Sequence, residues 1–392
     1  MNNKEKEQRY FGRGSEPMDL ELERAKGSLI WDASGKKYID FLGGSGVGCL
    51  GWGNSEVEMR MRSADIPTYV YPNFRYKRWG DLAEKLALIT PKHLTTSFRT
   101  TGGSEAVEAA MQIAMMYTGR KKFLSIEDSY HGNTIGTISL GSTDNQKNFS
   151  NLLPGCEKVD PPLDQNALDR IEDLLKNNEF AAFIMEPILC NLGVITPSSE
   201  FMSSLNKLCK SHGTLLVMDE AISGFGRTGK LFGTEHYDIQ PDMMILDKAM
   251  SGGYAGIGAL IVTDEIAKVV NNKVGLYSTF GWHPLGVEAA IAIVDILLQQ
   301  TEDLFANVET ISSLFAQELP KMEFREKPEI RIKGLAIGID VKDQDYATQI
   351  MQQGVENGLL MNTEKSNLTF FPALNIERET VEEGLKLLQT II

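Results

Sequence analysis

The sequence lacks the residue spacings that mark metal sites and disulfide frameworks. It has four cysteines and five histidines among its 392 residues. No two cysteines form a Cys-x-x-Cys pair and the histidines are scattered, so the pattern indicates neither a metal site nor a small disulfide-rich fold. We expect reduced, mostly buried thiols, as is typical of a cytoplasmic protein. The residues concerned are Cys49, Cys156, Cys190 and Cys209.

A secretory signal, a long hydrophobic run and an excess of positive charge are missing as well. Residues 1–10 are mostly polar, without the apolar core of a signal peptide. For residues 1–26 we expect a poorly ordered start and a short helix. The most apolar helix-like run, Ala289 to Leu298, contains Asp295 and is too short to cross a bilayer. The net charge is −14, and an acidic surface repels phosphate backbones. We therefore expect small-molecule partners, and neither nucleic acid nor a membrane.

From about residue 80 to residue 262, short apolar runs alternate with helix-like segments. Leu215 to Met218 is a continuous hydrophobic stretch, which fits a strand buried on both faces. The alternation predicts an α/β domain with a mostly parallel sheet flanked by helices. After residue 285 the pattern predicts a smaller α+β domain. We expect an N-terminal segment, 1–47, that packs with this small domain, a large domain over 48–285, and the C-terminal small domain over 286–392.

Polar residues follow the C-terminal ends of the predicted strands. In open parallel sheets, ligands bind outside these strand ends, so we expect the residues to share one site. They are Gly103 and Ser104, Tyr130 and His131, Glu186, Asp219 and Glu220, and Lys248.

Two of these residues suggest a particular chemistry. Lys248 comes just after the apolar run Met243 to Leu246, and a desolvated lysine there is the nucleophile that a Schiff base needs. Taken alone, the stretch favours a solvated lysine at a strand end, and it is the other residues of the site that favour the Schiff base. Asp219 suits the protonated ring nitrogen of a cofactor, although a helix N-cap or an ion pair with Arg227 also explains it.

Gly102-Gly103-Ser104 at a helix start suits a phosphate, because free backbone N–H groups and the positive helix end attract anions. Tyr130 and His131 offer rings that either stack on an aromatic ligand or simply pack. Together with Asp219 and Lys248, these groups make up a complete pyridoxal 5'-phosphate site.

A longer block of sequence resembles the class III aminotransferases. The block comprises Leu216 to Glu220, Gly224 to Phe232, Pro241 to Met243, Asp247 to Ala249 and Gly252-Gly253. Other motifs of that family are matched by Thr101 to Ala106, Tyr130 to Gly132, Glu186-Pro187 and Ser278 to Phe280. The resemblance runs from about Trp31 to the C-terminus. It implies the pyridoxal-phosphate fold type I, a transaminase activity and a homodimer with active sites at the interface.

The resemblance also implies a role for each matching residue. Lys248 forms the Schiff base with the cofactor and moves a proton between substrate and cofactor, while Asp219 binds the pyridine nitrogen. Tyr130 stacks on the ring, and Glu220 lies near the ring and the pocket. The residues expected to contact the cofactor are Gly103, Ser104, Tyr130, Glu186, Asp219, Ala221, Lys248 and Thr279, the last from the neighbouring subunit.

Departures from the family pattern bear on the substrate. Ala221 and Ile222 stand where the family often has Val-Gln, which thins the packing against the ring and removes an amide. Thr369 stands where many members that act on α-amino acids have an arginine, the residue that clamps a carboxylate with two hydrogen bonds. Together with the aromatic segment 69–76, this leads us to expect at least one substrate without an α-carboxylate, such as an amine, an ω-amino compound or a larger neutral molecule. Arg13, Arg75 and Arg78 are the alternative partners for a carboxylate. The candidate substrate contacts are Trp52, Tyr71, Arg75 and Glu220.

Other interpretations remain open. The same cofactor and fold serve aminomutases, epimerases and decarboxylases. Gly46 to Gly51 has the Gly-x-Gly-x-x-Gly spacing of nicotinamide-dependent oxidoreductases, but it runs into the loop Trp52 to Ser55 rather than into a helix. A cofactor-binding or scaffold protein without turnover is a third hypothesis.

Overall fold

The structure of the chain is a computed structural model, which describes residues 1, 3–14 and 17–392. Its strands are β1 (Leu22–Lys26), β2 (Leu29–Asp32), β3 (Lys37–Asp40), β4 (Leu94–Thr100), β5 (Lys122–Ile126), β6 (Cys156–Val159), β7 (Phe180–Met185), β8 (Leu215–Asp219), β9 (Met243–Leu246), β10 (Gly258–Thr263), β11 (Glu329–Lys333), β12 (Ala336–Asp340), β13 (Leu359–Leu360), β14 (Asn362–Glu364) and β15 (Asn367–Phe370).

Helices separate most of these strands. They are α1 (Asn3–Tyr10), α2 (Gly43–Gly46), α3 (Ser55–Ser63), α4 (Lys77–Ile89), α5 (Gly103–Thr118), α6 (Ile135–Leu140), α7 (Thr143–Gln146), α8 (Gln165–Leu175), α9 (Ser199–His212), α10 (Asp264–Val270), α11 (Pro284–Gln299), α12 (Thr301–Glu318), α13 (Gln344–Asn357) and α14 (Arg378–Ile391). Short 3-10 turns cover Cys190–Leu192, Gly233–His236, Lys248–Met250 and Leu319–Lys321.

The central sheet has seven strands in the order β4-β10-β9-β8-β7-β5-β6. Only β10 runs against its neighbours, and the other pairings within the sheet are parallel. The prediction of a mostly parallel sheet is therefore confirmed. Because the strands run the same way, the residues after β5, β7, β8 and β9 meet along one edge.

Helices cover both faces of this sheet, which explains the continuous apolar runs. On β9, Met243 and Ile245 pack in the cluster that contains the apolar face of α5. Met244 and Leu246 point the other way and join the cluster that contains α11. Successive side chains of a strand alternate between faces, so a strand between two helical layers must be apolar at every position.

The two ends of the chain meet in a smaller sheet. β13 pairs in parallel with β3, with Leu359 opposite Ile39, and extends the antiparallel ribbon β1-β2-β3. A second antiparallel sheet has the order β11-β12-β15-β14. The division of the chain at residues 47 and 285 stays a prediction.

The N-terminal part of the chain differs from the sequence-based expectation in one element. Residues 1–26 were expected to hold a poorly ordered start and a short helix, and they contain α1 and also β1. Residues Asn2, Ser15 and Glu16 lie outside the described part. As expected, the glycine-rich stretch does not open a phosphate-binding helix: Gly43 to Gly46 form a left-handed turn, and α3 starts only at Ser55, capped by Asn54.

Within the part of the chain that the structure describes, no single helix is long and apolar enough to cross a membrane. The pair Pro284–Gln299 and Thr301–Lys321 passes that test only when taken together, and it is bent by 79°.

Candidate active site

A cavity of about 390 Å³ lies at the carboxyl edge of the parallel strands. Its volume is in the range of small-molecule sites. Of the residues expected to contact the cofactor, all but Thr279 line it: Gly103, Ser104, Tyr130, Glu186, Asp219, Ala221 and Lys248.

The floor of the cavity includes the start of α5. Backbone N–H groups in the first turn of a helix have no partner within the helix, and the extended chain at Gly102 leads directly into that turn. The Ser104 hydroxyl accepts a hydrogen bond from the Asn133 N–H at 3.1 Å. A Cβ added at Gly132 would lie 2.4 Å from Ser104 Oγ, so only glycine lets the two segments approach. These groups form a cradle suited to a phosphate.

Asp219, the last residue of β8, is buried against His131. His131 Nδ1 lies 2.8 Å from Asp219 Oδ2, and the Ala221 N–H donates to Oδ1 at 3.1 Å. Arg227 does not pair with Asp219, because its guanidinium donates to the backbone carbonyls of Leu335 and Pro372. The carboxylate lines the cavity without a cationic side chain from Arg or Lys bonded to it among the described residues, which suits a protonated ring nitrogen.

Lys248 begins the 3-10 turn that follows β9. Its backbone is left-handed, with φ of 48°, a conformation that costs a non-glycine residue free energy and is concentrated at functional sites. The amine is half-buried, lines the cavity and donates to the Ser45 carbonyl at 3.3 Å. The turn therefore directs the side chain into the cavity.

Glu186, which follows β7, is a buried carboxyl group in the wall of the cavity. Its Oε2 accepts from the Cys190 N–H at 3.2 Å, and its Oε1 accepts from Asn191 Nδ2 at 3.1 Å. Burial, reinforced by the negative charge of Asp219, raises the pKa of Glu186 to about 7. Glu186 therefore takes up and releases a proton near neutral pH.

Glu220 is placed away from the cavity, which does not fit its predicted role as a substrate contact. Its fully buried carboxylate accepts from Ser223 Oγ at 2.6 Å, from the Gly233 N–H at 2.9 Å and from Thr234. Adjacent residues at a strand end point in opposite directions. Asp219 therefore faces the cavity while Glu220 fixes the loop that follows.

The other predicted substrate contacts lie outside this cavity. Trp52 donates to Asp40 Oδ2 at 2.6 Å and borders a separate cleft. Tyr71 is exposed and packs on Phe74, with ring centroids 5.4 Å apart. Arg75 is exposed.

Thr279 is also exposed on this chain. The resemblance assigns it to the site of a neighbouring subunit.

Asn191 and Asp247 are among the residues in the cavity wall that carry no predicted role. Asn191 lies beside Glu186 in a 3-10 turn, where the sequence offers no signal. Asp247 directly precedes Lys248, and its carboxylate lies against Gly103. Its place just past the end of β9 matches the pattern that singled out the other site residues, so that signal was present in the sequence.

The chain is similar to known proteins over nearly its whole length. The family model described as "Aminotransferase class-III" matches residues 10–392. The acetylornithine aminotransferase of Aquifex aeolicus is 31% identical over 389 residues, which cover 96% of this chain and 97% of that protein.

Two solved structures show similar folds. The taurine:2-oxoglutarate aminotransferase of Bifidobacterium kashiwanohense, in complex with PLP and glutamate, has a TM-score of 0.91 and 25% identity, covering 98% of this chain and 96% of that one. An amine transaminase from an uncultivated Pseudomonas species, in its PLP-bound form, has a TM-score of 0.89 and 26% identity, covering 97% and 96%.

Proposed function

This chain belongs to the class III aminotransferase family, and from that premise we propose which of its residues do the chemistry and which substrates it takes. It is a pyridoxal-phosphate-dependent aminotransferase, which moves an amino group from a donor to a ketone or aldehyde. When bound, the cofactor supplies the aldehyde that captures the amine and the ring that withdraws electrons.

The residues of the cavity divide this work. Gly103 and Ser104 bind the phosphate, and the Asp219 carboxylate, oriented by His131, holds the ring nitrogen. Lys248 supplies the amine that binds the cofactor, and once displaced it moves the proton at the substrate carbon. The observation that carries these assignments is that the cradle, the carboxylate and the lysine amine border one cavity.

Three more residues complete the set. Tyr130 stacks on the ring, Ala221 packs against it, and the buried carboxyl group of Glu186 lies beside it. Ile222 borders the same cavity. Since an isoleucine cannot donate a hydrogen bond, the ring hydroxyl must find its partner elsewhere in the wall.

At least one substrate lacks an α-carboxylate. Thr369 is buried within the sheet of β12, β14 and β15, opposite Gly338 and Asn362, so the usual carboxylate clamp is missing there. Arg78, an alternative partner for a substrate carboxylate, already forms ion pairs with Glu288 and Asp81. According to their names, the structurally similar taurine and amine transaminases act on amines without an α-carboxylate. This similarity supports the proposal.

The enzyme works as a homodimer in the cytoplasm. Exposed aromatic rings gather near residues 69–74 and 277–280, where Tyr69 lies 6.0 Å from Phe280 between centroids. A second subunit that covers this patch would bring its Thr279 towards the phosphate. Unpaired cysteines, three of them buried, suit a reducing compartment.

Absorbance spectra of the holoenzyme test the proposal, with one amino donor added at a time and Lys248→Ala in parallel. We expect amines or ω-amino compounds to bleach the visible absorbance of the holoenzyme. A keto acceptor should restore it, with one molecule of acceptor consumed for each molecule of donor. Rapid half-reactions with plain α-amino acids and none with amines would refute the substrate class.

The same experiment separates the rival chemistries. Product formation without consumption of a keto acceptor would indicate an aminomutase, epimerase or decarboxylase. A protein that does not take up the cofactor would contradict the assignment of the cavity.

A further inference from the structure

Asp247 places a carboxylate inside the phosphate cradle. Its side chain lines the cavity, and the nearby backbone N–H groups of Gly103 and Lys248 favour its ionised form. A Cβ added at Gly103 would lie 2.7 Å from Asp247 Oδ2, so the carboxylate lies directly over the first turn of α5. The Asp247 carboxylate and a bound phosphate would therefore compete for the Gly103 N–H.

Two anionic groups cannot share these donors without cost. The charges that face Asp247 are Lys248 and, with the same sign as its own, Asp219. The amine of Lys248 donates to the Ser45 carbonyl and serves the cofactor. Glu105, His131 and Glu186 border the same cavity. A phosphate dianion adds further negative charge, and a like charge within a few ångströms favours the neutral form of a carboxyl group.

We propose that Asp247 couples occupation of the phosphate cradle to the uptake of one proton by its carboxyl group. Resting on the proposed function, this makes Asp247 a positioning residue for the phosphate group of the cofactor. The step balances simply: one solvent proton converts the carboxylate into a carboxylic acid, and its new O–H donates to a phosphate oxygen. A hydrogen bond with an ionised acceptor is stronger than a neutral one, so the protonated residue holds the phosphate.

Burial favours the protonated form of the Asp247 carboxyl group. Desolvation is the main cause that raises the pKa of Asp247 above its usual range, and the charge of Asp219 adds to it. Binding affinity for the phosphate group therefore falls as pH rises, with a slope equal to the number of protons taken up.

Isothermal titration calorimetry of the full-length apoenzyme with pyridoxal phosphate tests the proposal. Titrations at about pH 8, where a phosphate monoester is dianionic, in two buffers with different ionisation enthalpies give the number of protons taken up. We expect the wild type to take up about one proton more than Asp247→Asn, and its affinity to fall roughly tenfold more per pH unit. Protons exchanged by Lys248 cancel in this difference.

Three controls sharpen the experiment. Asp242→Asn changes a carboxyl group at the other end of β9 whose pKa is also raised by burial, and it should keep the wild-type proton count. Asp247→Ser repeats the test with a smaller side chain. With pyridoxal, which lacks the phosphate, the difference between wild type and Asp247→Asn should vanish.

The outcomes separate this inference from the proposed function. Equal proton counts for wild type, Asp247→Asn and Asp247→Ser would overturn the coupling while leaving the aminotransferase assignment intact. A wild type that binds no pyridoxal phosphate at any pH would overturn both.

Discussion

His131 and Asp219 form a buried pair in which the imidazole Nδ1 lies 2.8 Å from the carboxylate Oδ2. The ring nitrogen Nε2 has no hydrogen-bond partner among the described residues. Since Nδ1 makes the only hydrogen bond of this buried ring to the described residues, the role of His131 lies in its contact with Asp219. We infer that His131 orients Asp219 towards the cofactor ring.

His131→Ala should therefore lower kcat about 10–100-fold, which is typical of a residue that orients a ligand-binding group. The affinity for substrate should change much less, because His131 acts through Asp219. His131→Asn can place an amide N–H near the position of Nδ1 and should recover part of the rate. Steady-state kinetics with the absorbance spectrum of the holoenzyme measures both effects. An alanine variant with wild-type kcat and spectrum would contradict the role.

Lys248→Ala should abolish transamination. Removal of the group that moves the proton lowers a rate by roughly 10²–10⁴-fold, and loss of the covalent link to the cofactor adds to this. Single-turnover absorbance measurements with an amine donor follow the half-reaction directly. Lys176→Ala removes an exposed lysine paired with Asp173 and should behave as the wild type. Turnover of the Lys248 variant within tenfold of wild type would exclude the assignment.

Glu186 should make the stability of the apoenzyme depend on pH. Its pKa of about 7 in the folded state exceeds the reference value of 4.5, so the folded state binds more protons than the unfolded state between these values. The free energy of unfolding therefore falls as pH rises from 4.5 to 7. The full loss is on the order of 3 kcal/mol, at about 1.4 kcal/mol per pKa unit.

Glu186→Gln removes this titration while it keeps a group that accepts hydrogen bonds. The variant should gain stability relative to wild type as pH rises through that range. Denaturant unfolding of both apoproteins at several pH values checks the difference. A constant difference across the range would show that Glu186 does not titrate there.

Gly384 packs α14 against the N-terminal segment. A Cβ at this position would lie 2.4 Å from Phe41 Cζ, deep in the core. Gly384→Ala should therefore cost about 1–3 kcal/mol of stability through overpacking. Gly80 in α4 has no atom within 4 Å of such a Cβ, so Gly80→Ala should stabilise by about 0.5–1 kcal/mol. Thermal unfolding of the two variants should shift in opposite directions, and equal shifts would contradict the packing.

The sheet and most of the cavity were predictable because their signals are local. A strand between two helical layers must be apolar throughout, and β9 has the bounds of the predicted apolar run Met243 to Leu246. By contrast, β1 has the sequence Leu-Glu-Arg-Ala-Lys and β6 has Cys-Glu-Lys-Val. Each lies at the edge of its sheet, where charged residues protect the exposed backbone from pairing with another chain. Because of these charges, neither strand contains the hydrophobic run that would have predicted it.

The direction of a polar side chain was harder to predict than its position. Asp219 and Glu220 are neighbours with the same chemistry, yet one faces the cavity and the other is enclosed by Ser223 and Thr234. The choice depends on the path of residues 221–236, which no local pattern describes. The same holds for Asp247, whose contact with Gly103 joins segments that are far apart in sequence.

The pairing of β13 with β3 has a consequence for the order in which the enzyme is made. Lys36, just before β3, donates a hydrogen bond to the Val355 carbonyl, 319 residues later in the sequence. The turn that follows β3 carries Ser45, whose carbonyl accepts from Lys248. At about 5–20 residues per second, the ribosome leaves this segment without its partner strand for tens of seconds. The lysine amine thus finds its carbonyl partner anchored only after β13 has been made, and the geometry of the site depends on both segments.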